Sequence, residues 1–155
     1  MLAILPGLKG MLNHHPLFVH FPIAFWLGAL LFELLAVVRS SEEWHRTAVR
    51  LLYLGTLCAF AAVGTGLLAE KAVMEMGPER DVFEVHEKMM YVTTSAAVGL
   101  CMFAFFMRKR FTPGLRKLLL AGLIVLAVLL TVGADRGVQL VYQHATSVRL
   151  PSPAK

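Results

Sequence analysis

The residues best suited to chemistry in this sequence are its six histidines, and they are unevenly spread. His14, His15 and His20 open the first long apolar run, His86 opens the third, and His144 follows the fourth. Only His45, beside Trp44, falls elsewhere, where an ordinary interfacial role suffices. A neutral imidazole offers one nitrogen to a metal while an acceptor orients the other. If the first and third runs cross a bilayer in the same direction, His20 and His86 reach a similar depth. Two such imidazoles are what bis-histidine ligation of a b-type haem requires. Glu84, Glu87 or a backbone carbonyl would orient them, and Gly64 and Gly66 would leave room for a flat macrocycle. The plainer reading has the same histidines bonded to headgroups, water or loop carbonyls, with no cofactor at all. Copper(I) is a third reading: Met74, Met76, Met89 and Met90 lie near the histidines, and thioether with imidazole suits that ion. Methionine is equally an ordinary filler of apolar gaps.

Other polar groups inside the apolar runs are costly there and each needs an account. Asp135 and Arg136 interrupt the fourth run near its outer end. They read as an internal charge pair tied to the headgroup region, or, with Tyr142, as the polar lip of a quinone or partner site. His15 and His144 add polar groups at that same end. Glu33 lies roughly 20 Å deeper than His20 on a straight helix. It is expected to pair with Arg50 or to hydrogen-bond while protonated, too far from the histidines to share their chemistry. Cys58 and Cys101 lie inside apolar runs without a CxxC pair or an electropositive neighbour, and read as buried small hydrophobes. No phosphate loop, nucleophile elbow or metalloprotease spacing occurs, so no catalytic residue is assigned and no activity of its own is expected.

These groups are positioned by an unusually apolar chain. Of 155 residues, 57% are hydrophobic and 16% charged, and the charges gather between long uncharged runs. A soluble protein carries about 25% charged residues, more evenly placed. The net charge of +5 forms no stripe with interleaved aromatics, which argues against a nucleic-acid partner. The expected fold is an all-α integral membrane four-helix bundle. Its spans are placed at 17–38, 49–69, 86–107 and 118–142, between an interfacial segment at 1–16 and a tail at 143–155. Each approaches the ~20 residues that cross ~30 Å of hydrocarbon. A helix too long for a signal-peptide core follows the Pro6-Gly7 break, so cleavage is not expected. The third helix is expected to begin with Asp81 as N-cap and Glu84 at N3, after Gly77-Pro78. Pro22 either kinks a helix that begins at Pro16 or opens one as its first residue.

Arg39, Arg46 and Arg50 lie between the first two runs, and Arg108, Lys109, Arg110, Arg116 and Lys117 between the last two. The connection between them is acidic. By the positive-inside rule the basic connections are cytoplasmic and both termini are periplasmic. Ala62 with Gly66, Ser95 with Gly99, and Gly133 with Gly137 are small-xxx-small pairs, which let helices approach closely or give a cofactor clearance. No inverted repeat is evident, which weighs against a transporter.

The run His15-Pro16-Leu17-Phe18-Val19-His20-Phe21-Pro22 resembles the opening of the bacterial membrane proteins grouped as domain of unknown function 2231. Glu33, Gly64-Thr65-Gly66, His86 and Leu140-Val141-Tyr142 resemble that family's later features. Val138 and Ala145 depart from it, standing where glycines are usual. The resemblance implies the four-helix fold and a bacterial inner membrane. Because related domains occur beside redox modules such as Rieske proteins, it also lends support to a redox role. The expected function is therefore a membrane-embedded subunit of an electron-transfer or energy-transducing complex, with lipid and other membrane subunits as partners. The alternative is a non-catalytic structural subunit that packs against proteins or lipids.

Overall fold

In the computed structural model, described over residues 14–70 and 78–146, the chain forms four long helices. They are α1 (His15–Arg39), α2 (Glu42–Glu70), α3 (Pro78–Met107) and α4 (Pro113–His144). All four are long and apolar enough to cross a membrane, and no strand occurs among the described residues. The expected segment at 1–16 and the tail after 146 lie largely outside the described residues.

Each helix extends beyond its apolar run. Pro16 stands in the first turn of α1, where a missing N–H costs nothing. Pro22 is buried within the same helix, so α1 is one continuous helix and Pro22 does not open it. Helix α3 begins at Pro78, with Glu79 and Asp81 in its first turn. Asp81 is thus not the N-cap: proline presets the helical φ three residues earlier, and the acids favour the positive end of the helix dipole. Thr112 caps α4, its Oγ1 accepting from the Leu115 N–H at 3.3 Å. At the other end of α4, Ala145 adopts a left-handed conformation (φ 50°) and donates its N–H to the Leu140 carbonyl. Ser40 closes α1 in the same manner (φ 51°), donating to Ala36. The basic connections of the sequence are consequently short. Arg46 and Arg50 belong to α2, and Arg116 and Lys117 to α4.

Helix α1 lies against α2 and α4, and α3 against α4 and α2, so the bundle is square. Between α1 and α2 the approach is close because Gly55 accepts the Trp26 ring: a Cβ there would fall 2.7 Å from Trp26 Cδ1. Between α3 and α4, Gly122 accepts Leu100 in the same way. Trp26, Ala29, Leu52, Ala59, Ala97, Leu119, Leu123, Leu126 and Leu130 form the common core. Leu57, Phe60, Leu68, Phe106 and Val128 point outward, as a lipid-facing surface requires. Gly99 and Ser95 also face outward, and a Cβ on Gly99 would meet nothing, so that small pair brings no helix of this chain closer.

Candidate functional site

The two other small-xxx-small pairs each hold a histidine from the neighbouring helix. At the start of α1, His15 lies over Gly66 of α2, where a Cβ would come within 3.2 Å of the ring carbon Cε1. Its Nδ1 is 2.9 Å from the Ala62 carbonyl and 3.3 Å from Thr65 Oγ1. At the start of α3, His86 lies over Gly137 of α4, where a Cβ would come within 3.0 Å of Cε1. Its Nδ1 is 2.7 Å from the Gly133 carbonyl. A carbonyl oxygen only accepts, so both rings donate from Nδ1 and carry their acceptor lone pair on Nε2. The geometry is the same twice: a ring seated on a glycine, bonded to the carbonyl four residues before it. The two α-hairpins are thus built alike, and their histidines meet. The ring centroids are 6.5 Å apart with planes at 82°.

This pair differs from the one expected. His20 is exposed and its Nδ1 bonds to the Pro16 carbonyl of its own helix. Five residues separate it from His15 on a 3.6-residue helix, so the two cannot share the inward face. Gly64 is exposed and borders open space, whereas Gly66 makes the slot. The orienting acceptors are carbonyls, with neither Glu84 nor Glu87 involved: Glu84 engages Arg80 and Lys88, and Glu87 accepts from Tyr91. Met90 fills the slot at Gly133, below His86, as an apolar plug. Met74 and Met76 lie outside the described residues.

The remaining polar groups also resolve differently. Asp135 is exposed, and Arg136 donates to Gln139 Oε1 at 3.0 Å. Among the described residues the expected Asp135–Arg136 pair is absent, since adjacent positions on a helix do not face each other. Tyr142 is 85% exposed and forms no lip with them. His144 is the last residue of α4. Cys58 and Cys101 are half-buried, and the Cys101 thiol lies 3.3 Å from Thr56 Oγ1.

At the opposite end of the bundle Glu33 is completely buried, and its partner is His45 rather than Arg50. His45 Nδ1 lies 2.8 and 3.1 Å from the two carboxylate oxygens. Its ring packs against Phe111 at 4.3 Å between centroids. The tight turn at Ser40-Ser41 returns the chain so that the first turn of α2 lies beside the last turns of α1. That turn is the signal that would have identified the pair. A serine doublet between a long apolar run and Glu-Glu marks a helix end and a new helix start.

The model of the family of predicted membrane proteins known as DUF2231 matches residues 12–149, almost the full chain. This protein is a DUF2231 member. No curated protein and no solved structure matches it significantly. The DUF2231 match spans both histidine slots and the Glu33–His45 pair, so the two hairpins are elements of one family domain.

Proposed function

We propose that this DUF2231 protein is the membrane-embedded subunit of an electron-transfer complex, with a b-type haem held between His15 and His86. The observation that carries the reading is the separation of the two rings. An imidazole nitrogen reaches a first-row metal at about 2 Å, and the ring centre lies about 1 Å behind it, so two imidazoles sharing one metal would bring their ring centres within about 6 Å. The observed 6.5 Å, with the ring planes at 82°, is close to that span. Each Nδ1–H is committed to a backbone carbonyl, which fixes the tautomer and raises the basicity of Nε2. Among the described residues no three His, Cys, Asp or Glu groups converge to hold a bare metal ion. Two histidines suit a macrocycle that brings its own four nitrogens, and suit copper less. Bound there, haem would supply a one-electron couple close to the membrane surface. By the positive-inside rule that surface is the periplasmic one of a bacterial inner membrane, with both termini on it.

The test is a reduced-minus-oxidised spectrum of the protein purified in detergent after expression with ample haem. The wild type and His20→Ala should show b-type bands, and His15→Ala and His86→Ala should lose them. A featureless Soret region in the wild type would end this reading. The structural alternative rests on a separate observation, that both Nδ1 bonds tie one helix to another. In that case the histidines are latches. The wild type would carry no haem, and His15→Ala and His86→Ala would change only stability and the assembly seen on native electrophoresis.

A further inference from the structure

The end of the bundle opposite the histidine pair carries a cavity of about 420 Å³, within the ~300–1,000 Å³ typical of small-molecule sites. Arg46, Arg50, Arg108 and Lys109 line it, with Glu42 as the one acid, a balance of four cations to one anion. Glu42 is already engaged by Arg46 at 3.2 Å and by Arg116. Arg50 and Lys109 have no ion-pair partner among the described residues, and Arg108 lies over the Phe105 ring at 4.2 Å. The inner wall is of another character. Val49, Ala104 and Phe111 are apolar, and His45 is buried at 4% exposure with its Nδ1 on Glu33. With Nδ1 so committed, Nε2 is the polar edge His45 has left to offer.

From this arrangement we propose that the cavity is a binding site for a phosphate-bearing anion. Guanidinium groups match phosphate oxygens two at a time, and a lysine adds a point charge. Cations between helices, beside an apolar wall at the membrane surface, suit the phosphate of an anionic phospholipid with its chains along the bundle. A free phosphate group satisfies the same donors without needing the apolar wall. The full chain, in a neutral detergent, is melted in the presence of dihexanoyl phosphatidylglycerol, dihexanoyl phosphatidylcholine or inorganic phosphate. Phosphatidylglycerol should raise the melting temperature saturably while phosphatidylcholine does not. Arg50→Gln/Lys109→Gln should weaken the apparent affinity tenfold or more. Both residues are exposed, so the unliganded melting temperature should hold and show that the fold is intact. Lys117→Gln, on the same basic face but outside the cavity, should leave the affinity unchanged. Saturation by phosphatidylglycerol alone makes the ligand a lipid headgroup, and equal saturation by inorganic phosphate makes it a soluble anion. Absence of saturation by either, or equal loss in Lys117→Gln, overturns the proposal.

Discussion

Gly64 and Gly66 stand two residues apart on one helix, yet the same substitution should stabilise only the first. A Cβ on Gly64 meets nothing within 4 Å, so Gly64→Ala should stabilise by about 0.5–1 kcal/mol through helix preference alone. A Cβ on Gly66 would sit 3.2 Å from Cε1 and 3.4 Å from Nδ1 of His15. The ring would have to retreat by a few tenths of an ångström, away from the carbonyl that holds its Nδ1 at 2.9 Å. Loosening that bond costs about 0.5–1.5 kcal/mol, enough to cancel or outweigh the gain from alanine. Gly66→Ala should therefore be about 0.5–1.5 kcal/mol less stable than Gly64→Ala. Gly137→Ala should suffer more, because its contact is 3.0 Å and the bond it disturbs is 2.7 Å. Unfolding in mixed micelles, followed by the loss of helical circular dichroism as denaturing detergent is added, resolves differences of this size. Equal stabilisation by alanine at all three positions would refute the argument that these glycines make room for the rings.

Three further outcomes follow from the geometry. Glu33→Ala, which strands a buried imidazole, should cost about 1–3 kcal/mol, whereas Glu33→Gln keeps an acceptor and should cost about 1 kcal/mol or less. The Glu33→Ala/His45→Ala double variant should cost less than the sum of the singles in the same micelle unfolding experiment. Ala145→Gly should stabilise by about 1 kcal/mol, since it relieves a left-handed alanine at the end of α4. A neutral or destabilising result in the same denaturation series would contradict that. His20→Ala should shift stability by no more than about 0.5 kcal/mol, because the side chain is exposed and, among the described residues, bonds only within its own helix.

The number and nature of the helices were legible in the sequence because a bilayer writes them as long uncharged runs. Their ends were less so. Apolar composition marks where lipid begins, whereas α2 starts at Glu42 and α3 at Pro78, in polar sequence shaped by caps. The candidate site was half legible. The sequence points to His86 and to the small-residue pairs on α2 and α4, whereas the histidine that the fold brings beside His86 is His15 and not His20. Depth along a helix can be counted from sequence, whereas which side of the helix faces inward depends on what packs there. Each residue turns the side chain by about 100°, so an error of five residues exchanges the interior for lipid. The sequence marks Glu33 as needing a partner and offers Arg50 or a hydrogen bond made while protonated, because charge is the visible cue. The sharp turn at Ser40-Ser41 instead brings His45 beside it. Ala145 stands where the family usually has a glycine, and the left-handed cap explains why a glycine suits that place.

The self-sufficiency of the hairpins bears on how the protein is made. Trp26 with Thr56, Glu33 with His45, and His15 with Ala62 all join α1 to α2, and His86 with Gly133 joins α3 to α4. A nascent chain that has released only its first two helices can already make the three α1–α2 bonds, and the hydrocarbon offers no substitute acceptors. Translation can thus deliver two prefabricated halves to the bilayer, so that the final event of biogenesis is their lateral docking. Of the ties made at that stage, those from Arg116 to Ser41 and Glu42 sit at the membrane surface, where water is still at hand, whereas Cys101 meets Thr56 inside the bundle.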